Sequence, residues 1–315
     1  MASPTRRRIR RFGYHLLVIL ARLCQPWGYP TLRRVGNLIG ELRYRASFRE
    51  RRRLIEHIEH VLADDLLPEQ VRPVLRHAYR VSDRSAFEIV AMGAYGLSPE
   101  MVRGACDVAH LERLETARAG GGAILLGMHM GNGILMAARL AVAGVPVSVV
   151  YRESRKMAPG FFERLLAAHG LAGIDARNRS GAYRRMARAL REDRVVFVLM
   201  DQGTKHGGVT VNFLGKTLDM PAGPAELARR TGVPVLPAEL QDAGAVWQFS
   251  IGEPLVLDPD STEASAAALA ESMERHIRAH PDLWSWHHRK WRRYPVNPED
   301  ASEEDVIVNS TESIR

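Results

Sequence analysis

The feature that most constrains the fold is a change of texture at residue 123. "AILLGM" (123–128) is a short, wholly apolar run. "ILMAARLAVA" (134–143) has the length and composition of a helix, and "VPVSVVY" (145–151) is again short, apolar and β-branched. A strand, a crossover helix and a second strand form a βαβ unit, which pairs its strands in parallel. The pattern continues with helices in "PGFFERLLAAHG" and "GAYRRMARALRED" (181–193), a strand in "VVFVLM" (195–200) and a helix in "AELARRTG". Strands in "VPVLPAEL" and "VWQFSIG" and a last helix in "STEASAAALAESMERHIRAHP" complete it. With 315 residues, 46% of them apolar, the chain fits one large α/β domain or two small ones. The expectation is an α/β fold: a mixed, mostly parallel central sheet flanked by helices.

Before residue 121 the pattern is helical. "LRYRASFRERRRLIEHIEHVL" keeps Leu54, Ile55, Ile58, Val61 and Leu62 at helical spacing within a charged background. At the start, "RRRIRR" (6–11) precedes "FGYHLLVILARLCQPWGY" (12–29). A signal peptide begins this way too, but Gln25, Pro26 and Trp27 stand where small residues would mark cleavage. A membrane span needs roughly 20 apolar residues, and this stretch carries His15 and Arg22. An interfacial or shallow membrane anchor is expected, with Arg6 to Arg11 on the anionic, cytoplasmic side and Trp27 and Tyr29 at headgroup level. The alternative is an ordinary first helix packed on the domain. The expected divisions are a basic anchor (1–30), a helical region (31–120), an α/β core (121–295) and a polar tail (296–315).

Formal charge is +8, which favours anionic partners. No zinc spacing, helix-turn-helix or aromatic RNA-binding signature accompanies it, so nucleic acid is not expected. Two cysteines, Cys24 and Cys106, have no disulfide or metal spacing, and a reducing compartment follows.

The candidate site lies where the first strand stops. His129 follows that strand, and Gly131-Asn132-Gly133 leads into the helix. Ligands of open parallel sheets bind at the carboxyl ends of strands. Glycines admit close approach of backbone N–H groups, and a helix amino end favours developing negative charge. A base beside backbone donors is the minimum equipment for acyl transfer. Taken alone, a histidine at a strand end also fits a structural role.

In order along the chain, "HMGN", "VVYR", "MDQG", "VNFLGKTLDMPAGPAELARRTGVPVLP" and "PDLWSWHHRKWRR" resemble the lysophospholipid acyltransferase superfamily. They resemble more narrowly its lipid A late-acyltransferase branch, over roughly residues 30–295. The resemblance implies a membrane enzyme at the cytoplasmic face of the bacterial inner membrane, peripheral or held by a single anchor. It implies transfer of a fatty acyl chain from a thioester, acyl carrier protein or acyl-CoA, to a lipid hydroxyl or amine, with no metal or other cofactor. His129 becomes the general base. Gly131, Asn132, Arg152, Gln202 and Gly215 fall on motif positions at the substrate.

The chain departs from that branch at one place. A carboxylate five residues after the histidine orients it in the family, and here that residue is Ile134; Gly133 replaces the family's tryptophan. Three resolutions stay open. Another carboxylate approaches His129, with Asp201 the first candidate because it ends a neighbouring strand, and Glu88 in "SAFEIV" the second. Or the acceptor needs less base strength. Or the protein is a catalytically weak relative that binds lipid or carrier. Single residues keep ordinary readings beside these: Asn132 as a helix cap, Asp201 and Gln202 as turn residues, Arg152 as a solvated strand end, Gly215 as a turn. Trp284, Trp286 and Trp291 alternate with Arg289, Lys290, Arg292 and Arg293, which suits an anionic lipid interface or acidic carrier, or else a packed segment with a basic face.

Overall fold

The computed structural model describes residues 4–153, 157–204 and 208–287, the side chains of 4–12 excepted. Trp291, the basic residues from Arg289 to Arg293 and the tail 296–315 lie outside the described residues. Four long helices come first: α1 (Pro4–Cys24), α2 (Gly28–Ala46), α3 (Phe48–Val61) and α4 (Pro68–Tyr95). A short helix α5 (Pro99–Ala105), strand β1 (Cys106–Ala109) and helix α6 (Leu111–Ala117) lead to β2 (Ala123–Gly127). Then come α7 (Gly133–Val142), β3 (Val147–Tyr151), α8 (Phe161–Ala168), β4 (Ala172–Asp175), α9 (Arg179–Arg191) and β5 (Val195–Leu199). The chain goes on through β6 (Gly208–Phe213), β7 (Lys216–Pro221), α10 (Gly223–Thr231), β8 (Val235–Asp242), β9 (Trp247–Ile251) and α11 (Thr262–Ala279).

Among the described residues the main sheet has seven strands in the order β1-β9-β8-β2-β5-β3-β4. Every pair is parallel except β8–β9. The mixed, mostly parallel architecture is therefore as expected. β2 sits at its centre with all five residues buried, which is why it reads as an unbroken apolar run. Its register with β5 pairs Gly127 with Leu199, so the two chains leave the sheet side by side.

Four strands were not read from the sequence. Cys106–Ala109 lies inside the stretch expected to be helical, yet it pairs in parallel with β9 at the sheet edge. Residues 172–175 add the opposite edge beside β3. At four residues each, both are too short for a periodicity to register. Residues 208–221 form an antiparallel hairpin rather than a plain loop. Leu214 and Gly215 turn it with φ of 51° and 67°, the left-handed pair of a two-residue hairpin turn. Trp284 and Trp286 are both fully buried, which is the packed alternative and not the lipid surface.

The helical layer is held by close approach and by charge. α2 crosses α4 at Gly40, where a Cβ would stand 2.6 Å from Arg80 Cα. Beside the crossing, the buried Glu41 carboxylate accepts from three guanidiniums: Arg76 (2.6 and 2.8 Å), Arg45 (2.9 Å) and Arg80 (3.1 Å). α1 buries Ala21 and Cys24, and Tyr14 meets Phe161 edge to face. The other side of α1 and the turn after it expose Leu16, Ile19, Leu23 and Trp27, each by more than half. No helix among the described residues is long and apolar enough to cross a membrane.

The hydrogen bonds from Arg76, with the charges of Arg76 and Arg80, hold the Glu41 carboxyl at a pKa of about 2, below its ordinary 4.5. A depressed carboxyl stabilises the fold above its unfolded pKa and loses that contribution as pH falls through the folded value. Glu41→Gln is therefore expected to unfold at lower urea than the native chain at pH 7. The gap should narrow from about pH 4.5 and close near pH 2; a gap constant across that window would contradict the pairing.

Candidate active site

Register builds the centre of the site. β2 and β5 end in step at Gly127 and Leu199, and two residues beyond each end stand His129 and Asp201. The Asp201 side chain is wholly buried, and among the described residues three hydrogen bonds reach it. Oδ1 takes the ring of His129 at Nδ1, 2.7 Å away, while Oδ2 takes the His129 backbone N–H at 2.8 Å and the indole N–H of Trp284 at 2.7 Å. A carboxylate oxygen can only accept, so Nδ1 carries the proton and Nε2 is left as the basic nitrogen. The His129 side chain is 30% exposed against 0% for Asp201, so the imidazole is open to solvent in part and the carboxylate is not.

The Gln202 amide nitrogen lies 2.9 Å from Nε2 and 3.2 Å from Nδ1 of the same ring. An atom in line with the Nε2 lone pair would be far more distant from Nδ1. Gln202 therefore sits over the imidazole rather than in the path of a proton arriving at Nε2. The segment around Trp284 closes the other flank. Met130 and Trp284 form an antiparallel bridge, and Ser285 donates its backbone N–H to the His129 carbonyl at 3.1 Å. Trp284 is wedged edge-on against Trp286 and Phe213, with centroids 4.9 and 6.3 Å away.

The loop after His129 is fixed from α4. Gly131 has φ of +56°, and a Cβ there would stand 2.7 Å from both Leu240 Cδ2 and Trp247 Cζ3. Its carbonyl accepts from Ser85 Oγ at 2.7 Å. Asn132 is fully buried; its Oδ1 caps α7 through Leu135 N–H at 3.0 Å, and its amide donates to Glu88 at 3.2 Å. Of the two readings of Asn132, the cap is the one observed, and burial keeps its side chain from a substrate. Glu88 also accepts from Trp247 Nε1 (2.6 Å), Tyr29 Oη (2.8 Å) and Arg84 Nε (2.8 Å), two bonds to each oxygen. Burial pushes the Tyr29 hydroxyl pKa well up, so it stays a donor. With both oxygens filled, the second candidate carboxylate anchors α4 to the loop and Asp201 is the one on the imidazole. Ile134 is half buried against the core on the first turn of α7.

The remaining expected site residues spread outward. Arg152 is exposed just past the carboxyl end of β3, on the same end of the sheet as His129. Gly215 sits at the tip of the β6–β7 hairpin near Val61, where the neighbouring Leu214 N–H is held by Glu274. That tip is linked to the centre through Phe213, whose ring meets Trp284. Sequence reasoning missed Trp284 as a donor to Asp201, and it missed Ser85, Tyr29 and Trp247 as supports of the loop. The two closely spaced tryptophans of "LWSW" were the visible signal.

Residues 2–293 match the family described as bacterial lipid A biosynthesis acyltransferase. The chain belongs to that family. It is also similar to three curated phosphatidylinositol mannoside acyltransferases. With that of Mycobacterium tuberculosis (strain CDC 1551 / Oshkosh) it shares 28% identity over 213 residues, 66% of each chain. With that of strain ATCC 25618 / H37Rv it shares 29% over 186 residues, 58% of each. With that of Mycolicibacterium smegmatis it shares 26% over 213 residues, 66% of this chain and 68% of the relative. The similarity to the first two thus spans just under two thirds of their length or less.

Proposed function

We propose that the protein is a membrane-associated acyltransferase that moves a fatty acyl chain from a thioester, acyl-CoA or acyl carrier protein, to a lipid or glycolipid. The observation that carries the reading is the partly exposed His129 imidazole held by the buried Asp201 carboxylate. Nε2 takes the proton of the acceptor hydroxyl or amine as its oxygen or nitrogen attacks the thioester carbonyl carbon. The imidazolium that forms is stabilised by Asp201, which keeps its own charge. The tetrahedral oxyanion collapses, the carbon–sulfur bond breaks, and the leaving thiolate takes the proton back from Nε2. The amino end of α7 and the Gln202 amide are donors that suit the oxyanion. Arg152, at the same end of the sheet, suits an anionic headgroup. Base, carboxylate and donors suffice for this chemistry, so no cofactor enters the proposal.

The names of the relatives make a glycosylated phospholipid the acceptor class to try first. The exposed stripe Leu16, Ile19, Leu23 and Trp27 supports an interfacial seat for α1 on the cytoplasmic face of the bacterial inner membrane. Ile134 favoured a non-catalytic relative, but Asp201 fills the orienting role from another strand.

In folded protein, His129→Ala is expected to abolish acceptor-dependent release of thiol from acyl-CoA or acyl carrier protein. Asp201→Asn should lower turnover by on the order of 10³–10⁴ with little change in KM. Retention of activity within tenfold in either variant would contradict the mechanism. For the membrane seat, the triple variant Leu16→Glu, Ile19→Glu, Leu23→Glu should no longer sediment with phosphatidylglycerol-containing vesicles, and unchanged sedimentation would remove α1 as the contact.

A further inference from the structure

His129 by itself fixes the plane of the Asp201 carboxylate. Its ring meets Oδ1 at Nδ1 (2.7 Å) and its backbone N–H meets Oδ2 (2.8 Å), so one residue spans both oxygens. The bond from the Trp284 indole to Oδ2, at 2.7 Å, is not needed for that orientation, yet it is made from 83 residues away along the chain.

The donor is locked in place. The Trp284 ring is fully buried and lies edge-on to Trp286 (4.9 Å, 83°) and to Phe213 (6.3 Å, 80°). Its backbone bridges Met130, and the next residue holds the His129 carbonyl. Trp286 is buried as completely, but its indole donates to the Pro281 carbonyl at 2.7 Å. Two neighbouring tryptophans thus share one kind of packing, and one of them donates to the carboxylate.

What the Trp284 indole adds is electrostatic. In a buried site, a carboxylate that turns its charge on Nδ1–H stabilises the imidazolium strongly. A base already protonated at neutral pH cannot take a proton from an acceptor. A donor on the far oxygen draws charge from Oδ1 and favours the ionised carboxylate. We propose that Trp284 is a positioning residue that acts through Asp201, holding charge on Oδ2 so that Nε2 of His129 is free of a proton at neutral pH. The proposal rests on the acyl-transfer reading and deepens it. The elements packed around the pair carry other titratable groups: Arg84 and Glu88 on α4, bonded to each other at 2.8 Å, Lys216 on β7, Glu274 on α11, and Asp282 and His287 on the returning segment. Replacing one indole leaves all of them in place, so a moved pH profile reports the charge on Oδ2.

Three variants of the full chain separate charge from packing. Trp284→Phe removes the N–H and keeps an aromatic ring. The benzothiophene isostere of tryptophan at position 284 keeps both rings and lacks only the donor. Trp286→Phe trims the same packing without touching the carboxylate. Circular dichroism confirms that each folds. With a long-chain acyl-CoA and a phosphatidylinositol mannoside as probes, the acid limb of kcat/KM should move up by about one pH unit in both position-284 variants, the size of one hydrogen bond to a charged group. On the acid side the rate should fall about tenfold, and the alkaline plateau should be recovered. In ¹⁵N–¹H spectra the Nδ1 proton of His129 should move further downfield, because its bond to a more basic carboxylate shortens. Trp286→Phe should leave limb and resonance where they are.

A rate lowered equally at every pH, or a limb moved as far by Trp286→Phe, makes Trp284 a packing residue and overturns the proposal. So does an isostere that behaves like the native indole. If the Nδ1 resonance moves as expected but no thioester is turned over at any pH, the positioning role stands and the acyl-transfer reading fails.

Discussion

A single buried carboxylate organises the centre of this molecule. Asp201 has no contact with solvent, and an ionised carboxylate there is tolerable only if its oxygens are filled. Three of its donors come from two distant parts of the chain, the end of β2 and the segment after α11. To satisfy that one charge, the sheet must pair β2 with β5 in the observed register and the segment around Trp284 must return to the sheet. The result is an imidazole with a fixed proton on its inner nitrogen and a basic outer nitrogen. The charge lies on β5 rather than on α7, so the first turn of α7 is free to pack Ile134 against the core.

Helix α4 is the second organiser. One of its faces carries Arg84 and Glu88, which tie Tyr29, Trp247 and Asn132 together and set the entry angle of α7. A turn earlier it touches the segment that holds His129, and earlier still it carries a row of Arg72, Arg76 and Arg80. The Glu88 anchor, the contact with the His129 segment and the arginine row are thus stacked along one rod, against which α2 lies closely at Gly40.

The α/β architecture was legible because buried parallel strands write themselves as unbroken apolar runs, and β2, β3, β5 and β8 did so. Edge strands such as β1 and β4 bury one residue each and are four residues long, so nothing local distinguishes them. The hairpin 208–221 was hidden because it pairs only with itself, outside the main sheet. Within the site, His129 and Asp201 could be placed as neighbours from strand ends alone, since strand ends are where parallel sheets gather side chains. For Asn132 the sequence left a helix cap beside a substrate contact, and for Trp284 a packed segment beside a lipid or carrier surface; burial, a property of the whole fold, puts the one in a cap and the other against a carboxylate.

The most direct measurement of this account is the protonation site of His129, read by ¹⁵N–¹H NMR at neutral pH. The account predicts a proton on Nδ1, with a strongly downfield resonance that collapses when Asp201 is replaced by asparagine. An imidazole found protonated on Nε2, or a spectrum indifferent to that replacement, would contradict it.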